Sequence, residues 1–220
     1  MFLDRVDAGA RLGAVIESLS REGPARERGW FDRPVVLGLA RGGVVVAAEV
    51  ARVLRAPLDV LVVRKVGHPD RPELGLGAIG EGGVAIFNET LVDELEVPAT
   101  ELARSAARAA YDVAELLHRY RAGRPATDVA GRAVIVVDDG LATGSTALAA
   151  VTVLRLRSAA AVVLAAPVAP PGVEERLASS VDAFVCLETP DWFPGVGAAY
   201  EDFRQVGDGE VQQLLARPVT

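Results

Sequence analysis

The residues best suited to chemistry follow an apolar run in the second half of the chain. Residues 134–137 read Val-Ile-Val-Val, and two adjacent carboxylates come directly after them. The next residues are glycines, small side chains and hydroxyls, and a helix is predicted to begin near Thr146. Free backbone N–H groups and the dipole at a helix start attract anions, so this loop is suited to a phosphate. The acidic pair and loop comprise Asp138, Asp139, Gly140, Leu141, Ala142, Thr143, Gly144, Ser145 and Thr146.

The acidic pair implies that the ligand has a second, different part. Two carboxylates repel a phosphate, so Asp138 and Asp139 are better matched to hydroxyl groups or to a divalent cation carried by the same ligand. A phosphorylated sugar with vicinal hydroxyls satisfies both parts. No lysine follows Gly144, which excludes a Walker-type loop, and the glycines lack the GxGxxG spacing of a dinucleotide site. The alternative interpretation is an ordinary strand followed by a helix cap.

The elements that position these residues are predicted from apolar runs that do not alternate. Such runs favour strands buried on both faces, as in an open, mainly parallel twisted α/β sheet with helices on each side. Ligands of such sheets bind beyond the carboxyl ends of the strands. Strands are predicted at residues 35–39, 58–63, 84–87, 133–137, 160–166 and 183–187, helices at 5–19, 44–54, 98–121 and 146–157, and a loop at 21–34.

Two further groups of residues follow predicted strands and are expected at the same edge of the sheet. The first strand is followed by Ala40, Arg41, Gly42 and Gly43, and the second is followed by Arg64 and Lys65. A plain strand–helix turn and a solvated strand end are the respective alternatives.

Residues 134–146 resemble the phosphoribosyl pyrophosphate motif of the type I phosphoribosyltransferases. The resemblance implies that fold, with Asp138 and Asp139 on the ribose hydroxyls and residues 142–146 on the 5-phosphate. It also implies that residues 40–43 bind pyrophosphate through backbone amides, often with an unusual peptide geometry, and that the basic residues after the second strand contact pyrophosphate. The catalytic residues so implied are Arg41, Lys65, Asp138 and Asp139.

The resemblance further implies an enzyme that moves phosphoribosyl from phosphoribosyl pyrophosphate to a nitrogenous base. Mg²⁺ is the expected cofactor. It usually binds through substrate phosphates, so no dedicated protein metal site is expected. Family members are commonly dimers, which makes a homodimer the expectation. A non-catalytic protein that senses phosphoribosyl pyrophosphate and a phosphosugar hydrolase remain the alternatives, since fold alone does not settle function.

Three segments carry less specific expectations. Residues 73–83 contain five glycines, so neither a stable helix nor a central strand is expected there. The resemblance implies a mobile lid in this part of the chain; residues 121–128 compete for that role, because Arg121 and Arg124 could reach pyrophosphate from there. Residues 84–124 are interpreted as a helical insertion and residues 188–206 as a C-terminal hood. In the hood, Trp192 or Phe193 is expected to stack on the base, unless both close the edge of the core.

Composition limits the remaining function classes. The 220 residues are 50% hydrophobic and carry a net charge of −7, which favours one globular domain and argues against a nucleic-acid partner. The single cysteine, Cys186, excludes a disulfide within the chain. The sequence shows no signal peptide and no apolar run of membrane-spanning length, so a cytoplasmic protein is expected.

Overall fold

The main sheet has five parallel strands and positions both loops that were singled out from the sequence. The computed structural model describes residues 1–21, 27 and 33–217. The strands are β1 (Val35–Leu39), β2 (Leu58–Leu61), β6 (Ala133–Val137), β7 (Ala161–Val168) and β8 (Ala183–Glu188). Their order across the sheet is β2-β1-β6-β7-β8, and helices cover both faces, so the predicted fold class is confirmed.

Side chains alternate between two cores on either side of this sheet. Val134 and Val136 of β6 face one core, and Ile135 and Val137 face the other. Since all four are fully buried, β6 is held from both sides, and the acidic residues after it emerge from a rigid strand. One core is covered by α1 (Arg5–Arg21) and α2 (Gly42–Leu54), and the other by α5 (Ser145–Leu156) and α6 (Val173–Leu177).

A second sheet of three antiparallel strands packs beside the first. Its strands are β3 (Val63–His68), β4 (Arg71–Gly80) and β5 (Ala85–Phe87), with β4 in the middle. The expectation that residues 73–83 avoid a central strand was therefore wrong. Two of the glycines permit close approach: a Cβ built on Gly77 would lie 2.2 Å from the carbonyl oxygen of Ile86, and one on Gly80 would lie 2.2 Å from Cγ2 of Val153.

The predicted strand over residues 58–63 is divided between the two sheets. The chain leaves β2 after Leu61 and starts β3 at Val63, with Val62 fully buried between them. Arg64 and Lys65 therefore lie inside β3 rather than after a strand end. Residues 84–124 hold β5, α3 (Glu89–Glu94) and α4 (Ala99–Arg121); the long helix predicted over residues 98–121 is confirmed.

The start of the chain meets residues 199–202 of the C-terminal segment. The backbone N–H of Phe2 donates to the carbonyl oxygen of Ala199 at 2.8 Å, and Glu201 donates to the carbonyl of Phe2 at 2.9 Å. The last helix, α7 (Asp208–Leu215), packs against α4. Most of the loop predicted at residues 21–34 lies outside the described residues. Within the described part of the chain, no helix combines the length and apolar character needed to cross a membrane.

Candidate functional site

The loops after β1 and β6 leave the sheet side by side. The two strands are paired in parallel, with Gly38 opposite Val137. A Cβ built on Gly43 would lie 2.5 Å from the carbonyl oxygen of Val137 and 2.9 Å from Cα of Asp138. The absence of a side chain at Gly43 therefore lets residues 40–43 lie directly against the start of the acidic pair.

The two acids of the pair have different surroundings. Burial first, and the neighbouring charge of Asp139 second, raise the pKa of Asp138 to about 8. Asp139 is held by Arg5, whose Nε donates to Oδ2 at 2.8 Å. The hydroxyl of Tyr200 donates to the main-chain carbonyl of Asp139. The pair is thus oriented by residues near both ends of the chain, and Arg5 forms its ion pair with Asp139.

The loop that follows the pair forms an open turn into α5. Thr143 and Ser145 are exposed, as is Ala142, whereas Leu141 is buried and supports the loop from below. Gly144 has φ +75° at the position before the helix, a conformation that suits glycine. The hydroxyl oxygens of Thr143 and Ser145 are 2.9 Å apart. The loop thus presents exposed hydroxyls next to the first N–H groups of α5, as phosphate binding requires.

The loop after β1 carries a cis peptide bond between Ala40 and Arg41. This is the kind of unusual peptide geometry that the sequence resemblance implied. The guanidinium of Arg41 lies 3.6 Å from Oδ1 of Asp208. Gly42 lies against the acidic pair, because a Cβ built there would be 1.9 Å from Oδ2 of Asp139.

An arginine-rich cavity of about 750 Å³ opens beside this loop. We call it the arginine cavity. Its far wall is organised by Asp208, which accepts hydrogen bonds from Arg119 and, at 2.9 Å, from the hydroxyl of Tyr120. These hydrogen bonds lower the pKa of Asp208, while burial first and Asp208 second raise the pKa of Tyr120 to about 12. The charged residues of the lining are Arg5, Arg41, Arg64, Arg119 and Asp208.

A second cavity, of about 550 Å³, lies between the small sheet and α5. We call it the helix cavity. Lys65 lines it together with Ser145 and Thr146 of the phosphate-suited loop, whereas Arg64 lines the arginine cavity. Side chains of consecutive strand residues point to opposite faces, which explains the separation. The sequence interpretation had placed both basic residues on one ligand group, and the structure places them in different cavities.

Comparison with known proteins identifies the domain. A family model described as "Phosphoribosyl transferase domain" matches residues 4–203. The chain belongs to the phosphoribosyl transferase family. Two Mycobacterium tuberculosis proteins (strains CDC 1551 / Oshkosh and H37Rv), each named "Putative phosphoribosyl transferase", are 43% identical over 217 residues, which cover 99% of this chain and 47% of theirs. The chain therefore spans about half the length of these curated relatives.

A solved structure shares the fold at similar identity. The crystal structure of TT1426 from Thermus thermophilus is 43% identical, covers 97% of each chain, and superposes with a TM-score of 0.81. The similarity therefore extends over nearly the whole chain and is not confined to one motif.

For this phosphoribosyl transferase domain, the hypothesis of a lid at residues 121–128 was wrong about Arg121 and Arg124. Arg121 is buried, and its guanidinium bonds Asp59 at 3.0 Å and Glu81 at 2.6 Å. Arg124 donates to the carbonyls of Leu215 and Arg121. Arg121 is thus directed into the protein, whereas Arg124 is exposed but bonded to two backbone carbonyls. Neither residue lines the arginine cavity.

The two aromatic residues of the hood have separate environments. Phe193 is partly buried against the cluster of Phe2, Val168 and Tyr200, whereas Trp192 is 79% exposed. Phe193 is therefore part of the edge of the core. Of the two, Trp192 has the ring that is free to stack on another molecule.

The sequence interpretation missed several residues that complete the site. Arg5 and Tyr200 fix Asp139, and Asp208 links Arg119, Tyr120 and Arg41. Arg5 and Asp208 each begin a helix, and Tyr200 lies in the C-terminal segment. No sequence motif surrounds any of the three. The one signal in the sequence was Arg5 itself, a charged residue at the first position of a predicted helix whose apolar face must pack against the sheet.

The site contains donors that suit a substrate-borne divalent cation better than a resident one. Within the described residues, no three His, Cys, Asp or Glu side chains are grouped as a metal site. Asp138 and Asp139 are two carboxylates beside the loop suited to phosphate. Such a set fits Mg²⁺, which keeps several waters and is shared with substrate phosphates.

Proposed function

We propose that this domain transfers the 5-phosphoribosyl group of phosphoribosyl pyrophosphate to a nitrogenous base, a purine or a pyrimidine, with release of pyrophosphate. The observation that carries the proposal is the juxtaposition of the acidic pair and the loop of residues 142–146 with residues 40–43. A sugar diol, a terminal phosphate and a pyrophosphate group would each meet a matching surface within one edge of the sheet. Family membership supports the same reaction class.

Each group in this arrangement has a separate role in the proposed reaction. Asp138 and Asp139 accept hydrogen bonds from the ribose hydroxyls, and the N–H groups and hydroxyls of residues 143–146 hold the 5-phosphate. Backbone amides of residues 40–43, with Arg41 and Arg64, offset the charge that gathers on pyrophosphate as its bond to the sugar breaks. The protein supplies no nucleophile: the base attacks the anomeric carbon, and preorganised charge and orientation lower the barrier.

Mg²⁺ would be held mainly by the phosphate oxygens of the donor, with Asp138 and Asp139 reaching it through water. When bound, it adds positive charge to the pyrophosphate. The roles proposed here for the protein's own residues do not require any of them to bind the ion directly.

The hood of residues 188–206 would cover the base, and Trp192 is the proposed platform. Stacking of a base on an aromatic ring contributes about 1–3 kcal/mol. The exposed indole of Trp192 is available for this, whereas Phe193 is already packed. Residues 84–124 act in this proposal as an insertion that builds the far wall of the arginine cavity through α4. A cytoplasmic homodimer completes the proposed assembly.

Release of pyrophosphate tests the proposal directly. The purified chain is incubated with phosphoribosyl pyrophosphate and Mg²⁺, and pyrophosphate is measured with and without a panel of purine and pyrimidine bases. Base-dependent release is expected, and it should be lost in Asp138→Asn. Tight donor binding by calorimetry without release for any base would identify a sensor instead, and absence of donor binding would overturn the proposed site.

A further inference from the structure

Arg5 is the first residue of α1, yet its side chain lies within the candidate site. Its Nε donates to Oδ2 of Asp139 at 2.8 Å, and its Nη1 donates to the carbonyl oxygen of Arg204, also at 2.8 Å. The side chain is only 9% exposed. Two short hydrogen bonds and a closely packed stem fix the guanidinium relative to the acidic pair.

The faces of the same guanidinium contact two other parts of the site. Its central carbon lies 3.9 Å from the ring centroid of Phe203, within range of a cation–π interaction. On the pyrophosphate side, a Cβ built on Gly42 would lie 2.9 Å from Nε. Arg5 also lines the arginine cavity together with Arg41 and Arg64.

One nitrogen of Arg5 remains available. A guanidinium carries five N–H donors in a rigid fork. Nε and Nη1 have partners, while Nη2 has no hydrogen-bond partner among the described residues. Because Arg5 is part of the arginine cavity's wall, this nitrogen is available to an oxygen of a ligand bound there.

We propose that Arg5 couples the two halves of the donor site. It holds the carboxylate of Asp139 for the ribose hydroxyls and offers its free nitrogen to the pyrophosphate. The inference rests on the proposed function and adds to it a residue that lies outside every motif. If the Arg5–Asp139 ion pair only held α1 against the sheet, its loss would lower the stability of the fold. It would not change the affinity for either half of the ligand.

The two halves can be measured separately as ribose 5-phosphate and inorganic pyrophosphate, each titrated with Mg²⁺ into the full chain by calorimetry. Arg5→Gln is expected to weaken both ligands by about tenfold or more, the usual effect of losing a hydrogen bond to a charged group. Arg41→Gln should weaken pyrophosphate alone, and Asp138→Asn should weaken ribose 5-phosphate alone. Weaker binding of both ligands in the single variant Arg5→Gln would show that Arg5 couples the two halves.

Arg11→Gln is the matched control. Arg11 lies on the same helix and is also paired with an aspartate, but its side chain is 49% exposed and bonds Asp7 on the outer surface. Its replacement should leave both affinities unchanged. A melting curve for each variant separates loss of binding from loss of folding.

Arg5→Lys keeps the test decisive if Arg5→Gln does not fold. Lysine keeps the charge without the fork, so pyrophosphate binding should persist while ribose 5-phosphate weakens. Unchanged affinity for either ligand in a folded Arg5→Gln, or for ribose 5-phosphate in Arg5→Lys, would overturn the inference. Failure of the wild-type chain to bind either ligand would instead count against the proposed function.

Discussion

Arg64 and Lys65 are consecutive residues of β3 and line different cavities. Arg64 faces the arginine cavity beside Arg41, and Lys65 faces the helix cavity beside Ser145 and Thr146. Within the described residues Arg64 forms no ion pair, although it is partly buried. An uncompensated arginine at that position gives the cavity a charge that an anion would neutralise.

This arrangement predicts separate effects of two neighbouring substitutions. Arg64→Gln should weaken pyrophosphate about tenfold, and Lys65→Gln should weaken ribose 5-phosphate about tenfold, because each removes one charge-assisted contact. Calorimetric titration of both variants with both ligands provides the measurement. If both substitutions weakened the same ligand, the assignment of the two cavities would be incorrect.

Gly42 is predicted to tolerate no side chain. Gly42→Ala places a methyl group against the Arg5–Asp139 pair, so Asp139 must move and donor affinity should fall. We expect a loss of about 1–3 kcal/mol of unfolding free energy, typical of overpacking. Urea denaturation and donor titration check both effects.

Gly209→Ala is the control for Gly42→Ala. Gly209 lies in α7, and nothing comes within 4 Å of a Cβ built there. Alanine in a helix is favoured over glycine by up to about 1 kcal/mol, so this variant should be as stable as the wild type or more so. If the two alanine variants had the same free energy of unfolding and the same donor affinity, the close contact at Gly42 would be unimportant.

The raised pKa of Asp138 predicts a pH dependence of stability. An unfolded aspartate titrates near about 3.9, whereas burial, and then the charge of Asp139, raise the folded pKa to about 8. Between these values the folded protein holds a proton that the unfolded chain has released. The free energy of unfolding should therefore fall as the pH rises toward 8 and level off above it.

Melting temperatures of the wild type and Asp138→Asn between about pH 6 and about pH 9 test this pH dependence, which rests on the pKa shift of Asp138. Asparagine is similar in shape and does not titrate, so the downward slope should be reduced in the variant. The same slope in both proteins would mean that another group is responsible.

The two hood aromatics are predicted to differ in what they affect. Trp192→Ala should raise KM for the base about tenfold while leaving KM for the donor and the melting temperature unchanged, since its ring is exposed and base stacking contributes about 1–3 kcal/mol. Phe193→Ala should lower the melting temperature, because it removes part of a buried cluster. Steady-state kinetics and thermal melts measure the two effects, and an unaltered KM for the base in Trp192→Ala would reject the platform.

Arg121 is predicted to be essential for stability. Its guanidinium bridges Asp59 of β2 and Glu81 at the end of the small sheet, and Arg157 also bonds Glu81 at 3.0 Å. Arg121→Gln leaves Asp59 charged and buried, which costs about 3–5 kcal/mol. Arg52→Gln, which breaks a pair whose arginine is 62% exposed, should change stability by less than about 1 kcal/mol.

Urea denaturation of Arg121→Gln and Arg52→Gln provides this comparison. A loss at Arg121 no larger than the loss at Arg52 would show that the buried network contributes little to holding the two sheets together.

The sequence was informative wherever a single strand and its following loop carried the signal. The buried runs of β1 and β6 predicted the parallel sheet, and adjacent Asp138 and Asp139 predicted the carboxylates at its edge. The prediction that residues 73–83 avoid a central strand was wrong, because the glycine content of β4, including Gly75, was taken as a sign of irregular structure. In the fold, Gly77 and Gly80 permit close packing against a neighbouring strand and helix.

What the sequence did not predict depends on contacts between distant segments. Arg5 reaches Asp139 across 134 positions, and Tyr120 reaches Asp208 across 88. Neither residue belongs to a local pattern, so only the packing of α1 and α4 against the sheets brings these pairs together.

The bridge between Phe2 and Tyr200 joins segments that are nearly the whole chain apart. Closing so long a loop carries an entropic cost, and the bridge is an isolated one outside both sheets, where local opening is easier than in a central strand. Since Arg5 and Phe203 flank this bridge, opening of these two segments would disrupt the donor site while the parallel sheet stayed intact. Binding competence and global folding would then be lost in two steps, with ligand recognition the first to go under mild denaturant.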